Sequence, residues 1–374
     1  MVYKAWLYPT LTLVIGVTAS LVVGEGLLRV IGVKPGTPFE QIINHYDAFL
    51  GYRMIEGTHE VVKGEGGVYD VDIRSLGFAD KAGFRDNGFF DSVAAVFLGD
   101  SFVFGYGVPL DSSVSEIIEG AIRRPCVNLG MTAYTSATQY ARVLRKYGRA
   151  LRPIVVFVGI FVGNDYGDCE TFQHWSDSGS KLSYPMWVTF QQKNDGQLDV
   201  FLQVRSVLYK HSALFKFLSD RINLNLMADH GKNFNEAGNG RNLDLVLYAD
   251  ELWIDKEVPQ SQQRSMHLAL LQLKQSCVQS GAELVAFVIP TKEMVYQSLL
   301  PGLSDKVEDV RYQTLISQLH ELDIQNVDLL PVFREEAVAG TQLYFKYDGH
   351  WNIRGHALAA SMLSNIAIQL IRGQ

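Results

Sequence analysis

Residues 96–108 read VFLGDSFVFGYGV and place a Gly-Asp-Ser turn directly after a short apolar run that begins at Val93. The run is rich in valine and phenylalanine, a composition that favours a buried strand. A serine in such a turn is either a polar connection between a strand and a helix or a nucleophile held at the carboxyl end of the strand. The turn alone allows both interpretations, so the choice depends on what the other strands carry.

Four more short apolar runs follow this one, and helix-like segments separate them. The five predicted strands are 93–98, 126–129, 154–162, 283–289 and 324–330. The predicted helices are 113–124, 136–149, 261–280, 305–322 and 354–372. This alternation predicts a doubly wound α/β fold with a mostly parallel five-stranded sheet, because crossover helices must cover both faces of such a sheet. Ligands bind these sheets beyond the carboxyl ends of the strands, which is where Ser101 falls.

Composition limits the class of protein. The chain has 374 residues, 47% hydrophobic and 20% charged, so it is globular and long enough for one large domain with insertions. A net charge of -7 without any run of like charges argues against a nucleic-acid partner. The three widely spaced cysteines predict neither a disulfide framework nor a zinc site, and no metal or organic cofactor is implied. These cysteines are Cys126, Cys169 and Cys277.

The amino-terminal segment 5–24, AWLYPTLTLVIGVTASLVVG, carries no charged side chain and is long enough to cross a bilayer as a helix. A cleaved signal peptide is the alternative, because the tripeptide at 17–19 resembles a small-residue cleavage site. The apolar run continues to Val23, beyond the usual length of a signal-peptide core, so we expect an uncleaved transmembrane anchor. Lys4 and Arg29 flank the run on opposite sides, and this balance does not set its orientation.

The chain therefore divides into three predicted parts. Residues 1–34 form the transmembrane anchor and its flank, and residues 35–92 form a β-ribbon lead-in, since apolar and polar residues alternate there between glycines. Residues 93–374 form the α/β domain. Within it, the stretch 166–258 is too long for an ordinary connection and is predicted as an insertion beside the site, serving as a lid or substrate wall.

Three further sequence blocks fall at strand ends or before the last helix: NLGM at 128–131, VGND at 162–165 and DGHWN at 348–352. Together with FLGDSF at 97–102, they stand in the order of the Ser, Gly, Asn and His blocks of the SGNH, or GDSL, hydrolase family. The chain resembles this family over most of its length beyond the anchor. The resemblance implies a flavodoxin-like SGNH hydrolase fold and a serine nucleophile.

The resemblance also implies a role for each block. Ser101 is the nucleophile, His350 the base and Asp348 the acid that orients the imidazole. The backbone N–H groups of Ser101 and Gly130, with the side-chain amide of Asn164, form the oxyanion hole. This chemistry needs such a set, because a serine hydroxyl is a poor nucleophile until a base accepts its proton, and the tetrahedral intermediate needs hydrogen-bond donors.

The spacing of the last block departs from the family pattern. The family usually carries Asp three residues before His, whereas Asp348 stands two before His350 and Tyr347 takes the usual place. A carbonyl or another carboxylate is therefore an alternative partner for the imidazole. A similar Asp-x-His pair occurs in relatives that acetylate secreted polysaccharides, such as periplasmic alginate acetylation proteins. The stretch FVIPTKEMVY at 287–296 either adds its Thr, Lys or Glu side chains to the site or is an ordinary strand-to-helix junction.

The predicted function is that of a membrane-anchored serine esterase, which removes an acyl group such as acetyl from a carbohydrate or lipid. Two alternatives stay open. The first is an O-acyltransferase that passes the acyl group from the same serine to an exported polysaccharide. The second is a non-catalytic, membrane-tethered protein that has kept the fold. The resemblance to periplasmic relatives implies a catalytic domain outside the cytoplasm and polysaccharide export machinery as a partner.

Overall fold

The computed structural model of the chain describes residues 2–33, 35, 45–88, 92–132, 135–192, 208, 211–219, 231–233, 243–248, 257–299 and 309–372. The chain forms two compact units. One consists of residues 1–42 and 195–230, and the other of residues 43–194 and 231–374. Most of the predicted β-ribbon lead-in and most of the predicted α/β domain therefore belong to one unit, whereas part of the predicted insertion belongs to the other.

From residue 95 onward, strands alternate with helices. The strands are β1 (His45–Asp47), β2 (Gly51–Arg53), β3 (Thr58–Gly64), β4 (Gly67–Ser75), β5 (Gly83–Phe84), β6 (Ala95–Leu98), β7 (Cys126–Asn128), β8 (Val155–Phe161), β9 (Gly231–Asn233), β10 (Val246–Tyr248), β11 (Glu283–Ile289) and β12 (Gln325–Asp328). The helices are α1 (Val2–Val30), α2 (Ser101–Phe104), α3 (Val114–Ile122), α4 (Ala137–Lys146), α5 (Asp165–Ser178), α6 (Tyr184–Gln192), α7 (Gln260–Ser280), α8 (Lys292–Tyr296), α9 (Val310–Glu321), α10 (Leu330–Val338) and α11 (Ile353–Arg372).

The first unit is built on α1, which contains the uncharged segment 5–24. Near the carboxyl end of this helix, the Glu25 carboxylate accepts the backbone N–H groups of Ala213 and Leu214 at 3.0 and 2.9 Å. These bonds cap the helical segment that begins there. In the part of the chain that the structure describes, no helix has both the length and the apolar character needed to cross a bilayer, so the predicted transmembrane helix is not supported.

The second unit is built on a five-stranded parallel sheet with the order β12-β11-β8-β6-β7. The side chains of β6 and nearly all those of β8 are buried, as expected for central strands covered on both faces. Helix α7 packs against α4 and α5, and α11 packs against α3. The predicted α/β fold with a five-stranded parallel sheet is confirmed. Because the strands are parallel, their carboxyl ends meet at one edge of the sheet.

The antiparallel hairpin of β3 and β4 brings its turn, formed by Glu65 and Gly66, against the loop that follows α2. A Cβ atom on Gly66 would lie 2.2 Å from the carbonyl oxygen of Gly107 and 3.1 Å from the ring of Phe345. Glycine allows this close approach because it has no Cβ atom. It leaves Glu65 beside the chain segment that begins at Phe345.

The predicted insertion 166–258 begins with helices α5 and α6, which share a buried aromatic cluster. The cluster contains Phe172, Trp175, Tyr184 and Val188. The ring of Phe172 stacks on Trp175 with centroids 5.2 Å apart and meets the edge of Tyr184 at 5.1 Å. Most of the remaining insertion lies outside the described residues, and the predicted lid or substrate wall lies there too.

Candidate active site

Ser101 lies at the junction where the central strand β6 turns into the short helix α2. The Asp100 side chain accepts the backbone N–H of Phe102 at 3.0 Å and so caps this helix. Asp100 is buried, whereas Ser101 is partly exposed. The junction therefore presents the serine hydroxyl at the carboxyl edge of the sheet while the preceding aspartate shapes the turn.

His350 and Asp348 lie in a short loop before α11 that is closed by its own backbone. Tyr344 forms a β-bridge with Trp351, and the N–H of Phe345 donates to the carbonyl oxygen of His350 at 3.1 Å. Trp351 is fully buried, so it anchors the loop to the core. This closure fixes the backbone from which both predicted catalytic side chains project.

The three predicted catalytic side chains form a continuous hydrogen-bonded chain. The Oγ atom of Ser101 lies 2.7 Å from Nε2 of His350, and Nδ1 of His350 lies 2.5 Å from Oδ1 of Asp348. The same Asp348 oxygen accepts the backbone N–H of His350 at 2.8 Å. This local turn, in which an aspartate bonds the amide two residues on, brings carboxylate and imidazole together at the shortened Asp-x-His spacing.

The ionisation of Asp348 fixes the direction of these hydrogen bonds. Burial acts to raise the pKa of Asp348, but the charge and hydrogen bonds of His350 and the charge of Lys292 lower it to about 2. An ionised carboxylate only accepts hydrogen bonds, so Nδ1 of His350 carries a proton, and in the neutral imidazole Nε2 then has a free lone pair. The Ser101 hydroxyl then donates to Nε2, which is the arrangement that activates a serine.

Two charged side chains hold the backbone of the Asp348 loop. Nζ of Lys292, at the start of α8, donates to the carbonyl oxygens of Lys346, Tyr347 and Asp348 at 3.3, 3.2 and 3.3 Å. The Glu65 carboxylate accepts the N–H groups of Tyr347 and Asp348 at 3.1 and 2.8 Å. The sequence singled out Lys292 as a candidate. It gave no signal for Glu65, because a glutamate in a hairpin turn is ordinarily a solvated surface residue.

Aromatic rings enclose the imidazole of His350. The ring centroids of Phe102 and Tyr106 lie 4.9 and 4.8 Å from it. Phe102 in turn meets Trp351 edge to face at 5.1 Å. Because Phe102 and Tyr106 follow Ser101 on the same chain segment, the nucleophile and the surroundings of its base are positioned together.

The predicted role of Gly130 in the oxyanion hole meets a competing hydrogen bond. Its N–H donates to Oδ1 of Asn128 at 2.9 Å, so this amide is committed to the loop after β7. A Cβ atom on Gly130 would lie 2.5 Å from the backbone nitrogen of Phe104. The glycine is therefore required by the close approach of α2. Residue type alone does not encode the direction of a backbone amide.

Asn164, the third predicted member of the oxyanion hole, is exposed and directly precedes α5. Its Nδ2 atom donates to Oδ2 of Asp168 at 2.8 Å. Burial, together with the charge of Asp100, raises the pKa of Asp168 to about 7. A side-chain amide has two N–H bonds, so this contact engages one of them and orients the other.

A buried carboxyl group, Asp165, lies next to Asn164 and was not predicted to matter. It accepts the Tyr140 hydroxyl and the backbone N–H of Phe161, both at 3.0 Å. Burial and the charge of Asp100 raise the pKa of Asp165 well above its usual range. Burial likewise raises the pKa of Asp100, to about 6, although His350 opposes the change. The interior beneath the site thus disfavours negative charge.

Residues 247–370 match the family model described as SGNH hydrolase-like domain, acetyltransferase AlgX. The matched segment includes β11, α8 and the loop with Asp348 and His350. It does not include β6 or Ser101, which come earlier in the chain. The match therefore bears on the half of the site that supplies the base. The comparison with curated proteins gives no match.

Three solved structures resemble the chain: a member of the lipolytic protein G-D-S-L family from Veillonella parvula, the acetyl xylan esterase AlAXEase, and a mutant of Axe2, an acetyl-xylooligosaccharide esterase from Geobacillus stearmophilus. Their sequence identities are 13%, 9% and 11%, and their TM-scores are 0.35, 0.38 and 0.37. The similarity covers 73%, 73% and 74% of this chain and 96%, 98% and 95% of theirs. At this level the likenesses carry no conclusion about activity or substrate.

Proposed function

We propose that the chain is a serine esterase of the SGNH/GDSL family, which removes an acyl group such as acetyl from a carbohydrate or lipid. The observation that carries the proposal is the hydrogen-bonded chain from Ser101 through His350 to Asp348, with contacts of 2.7 and 2.5 Å. A serine whose proton can pass to an oriented imidazole is a nucleophile suited to acyl groups.

In the first half of the proposed reaction, Nε2 of His350 accepts the hydroxyl proton as Oγ of Ser101 attacks the carbonyl carbon of the ester. The bond from that carbon to the alcohol oxygen then breaks, and His350 gives its proton to the leaving alcohol. Ser101 now carries the acyl group. Asp348 remains ionised and stabilises the imidazolium through the Nδ1–H bond without taking the proton.

The oxyanion of the tetrahedral intermediate needs hydrogen-bond donors, and we assign the backbone N–H of Ser101 and the side-chain amide of Asn164 to this role. The assignment is supported by topology, since β6 and β8 are neighbours whose carboxyl ends meet at one edge of the sheet. It is also supported by the Asp168 contact, which holds the Asn164 amide. Each such donor changes a rate by about a hundredfold or more.

The fate of the acyl-serine separates an esterase from a transferase. In hydrolysis, His350 takes a proton from water, the resulting hydroxide attacks the acyl carbon, and the acid leaves as Ser101 regains its proton. In transfer, a sugar hydroxyl takes the place of water and the acyl group moves to it. The match to a family model described as acetyltransferase AlgX favours transfer as the second candidate function.

An acceptor experiment tests the two candidates. The purified protein is incubated with 4-nitrophenyl acetate, with and without an oligosaccharide that bears free hydroxyls, and both acetate and acetylated oligosaccharide are measured. An esterase releases acetate at the same rate in both mixtures. A transferase forms acetylated oligosaccharide and releases less acetate when the acceptor is present. Absence of 4-nitrophenol release in both mixtures would contradict both functions.

We also propose that the chain is attached to a membrane and that its catalytic domain lies outside the cytoplasm. The uncharged sequence 5–24 and the exposed apolar side chains on α1, such as Leu13, Val22 and Leu27, support attachment. The extracytoplasmic location rests on the resemblance to periplasmic relatives. Membranes washed with carbonate should retain the protein, and a variant that starts at residue 34 should be released. Recovery of the full chain in the wash would contradict attachment.

A further inference from the structure

Lys292 is a buried cation that donates hydrogen bonds to backbone groups of the loop that carries Asp348. Its side chain is 1% exposed, and its Nζ atom donates to three consecutive carbonyl oxygens of residues 346–348 at 3.2 to 3.3 Å. Burying an ammonium group is costly unless it is hydrogen-bonded and compensated by negative charge. The loop supplies these hydrogen bonds through the carbonyl oxygens of residues 346–348. The last of these residues is Asp348, whose ionised side chain supplies the negative charge.

From this geometry we infer that Lys292 is a positioning residue for the acyl-transfer reaction, which holds the backbone of the Asp348 loop and keeps the Asp348 carboxylate directed at His350. The inference rests on the proposed function. Lys292 touches neither Ser101 nor the reacting ester in this role, so it acts through Asp348. It defines a further requirement of the site beyond the nucleophile, the base and the acid.

Two charged side chains hold the backbone of the loop, one at its carbonyl oxygens and one at its N–H groups. Lys292 takes the carbonyl oxygens of residues 346–348, and Glu65 takes the N–H groups of Tyr347 and Asp348. A distortion of the backbone at residues 346–348 relative to His350 would lengthen the 2.5 Å contact between the Asp348 carboxylate and the imidazole. Misplacement of about 1 Å can cost a hundredfold in rate.

The charges around Asp348 show why the cation matters there. His350 faces the carboxylate from the same loop, Lys292 from α8, Glu65 from the β3–β4 turn and Tyr69 from β4. The charge of Lys292 is among the causes that lower the pKa of Asp348. Glu65 and Tyr69 add no positive charge. Loss of the Lys292 cation therefore favours protonation of the coupled Asp348–His350 pair.

The test compares Lys292→Met, which removes the donor and the charge, with Lys292→Arg, which keeps both. Lys274→Met is the matched control, because Lys274 donates to the backbone carbonyls of Leu322 and Asp323, away from the site. The pH profiles of kcat and KM for 4-nitrophenyl acetate, and the rate of Ser101 labelling by a fluorophosphonate, are measured on each folded variant.

Lys292→Met should lower kcat by about tenfold to a hundredfold with little change in KM, and it should move the acid limb of the profile upward by about one pH unit. Lys292→Arg should keep the acid limb of the parent, and Lys274→Met the entire profile. If Lys292→Met does not fold, Lys292→Gln is measured with the same expectation. An unchanged profile in the folded Met or Gln variant would overturn the inference while leaving the esterase intact. An inactive, unlabelled parent would overturn the proposed function and the inference together.

Discussion

The Nε2 atom of His350 lies 2.7 Å from the Oγ atom of Ser101, although 249 positions separate the two residues in the chain. The sheet makes the contact possible, because β6 ends just before Ser101 at the carboxyl edge. The loop that bears His350 is anchored to the core by the buried side chain of Trp351. The polarity of the hydrogen bond, from the Ser101 hydroxyl to the imidazole, follows from the ionisation of Asp348 on the far side of the ring.

The shortened Asp-x-His spacing is tested by comparing two substitutions. Asp348→Asn should keep the fold and lower kcat by about a thousandfold or more, since an amide at this position favours the wrong imidazole tautomer. His350→Ala should be as damaging as loss of the nucleophile, because base and nucleophile act as a unit. The exposed His320→Ala is the control and should retain parent activity. A near-normal Asp348→Asn beside an inactive His350→Ala would leave a Ser-His pair oriented by another acceptor.

The assignment of Asn164 to the oxyanion hole predicts a loss in kcat with little change in KM. Asn164→Ala should lower kcat by about a hundredfold, since it removes a donor that matters most in the tetrahedral intermediate. Asn326→Ala is a suitable control, because Asn326 lies on the edge strand β12 and bonds a local carbonyl. The values of kcat and KM for 4-nitrophenyl acetate are measured for the parent and for both variants. An unchanged kcat in Asn164→Ala would assign the oxyanion to other donors.

The raised pKa of Asp168 predicts how stability changes with pH. Because the folded state holds this proton more tightly, Asp168 contributes stability that is full below the unfolded pKa of about 3.9 and is lost as pH rises through about 7. The free energy of unfolding of Asp168→Asn, measured in urea, should therefore fall less steeply than that of the parent between these pH values. Asp177→Asn, an exposed change on the same helix, should keep the parent slope. Equal slopes in all three proteins would contradict this account.

The central sheet could be predicted because its strands are buried on both faces and therefore read as short, continuous apolar runs. The strand predicted at 283–289 matches β11 at both ends. The division into units could not be predicted. Residues 195–230 join the unit of α1, and the Glu25 side chain there accepts backbone N–H groups of Ala213 and Leu214, nearly 190 positions away. Such pairings leave no periodic pattern in the chain.

At the site, the residues whose chemistry lies in their side chains were the predictable ones. Ser101, Asp348 and His350 were named from their sequence blocks, and the structure brings them together. The N–H of Gly130, predicted for the oxyanion hole, bonds Oδ1 of Asn128 in the structure, and this contact could not be predicted because the direction of an amide depends on the loop conformation. The role of Glu65 could not be predicted for a related reason, since its contact with the Asp348 loop exists only in the folded hairpin.

The most direct test of the central claim is the labelling and activity of Ser101→Ala. A fluorophosphonate probe should label the parent at Ser101, and Ser101→Ala should lose both the labelling and the hydrolysis of 4-nitrophenyl acetate while keeping the parent melting temperature. Ser361→Ala, an exposed change on α11, should behave as the parent does. The account predicts activity of Ser101→Ala below about a thousandth of the parent, as for loss of a catalytic serine. Retention of more than about a tenth of the parent activity in folded Ser101→Ala would contradict it.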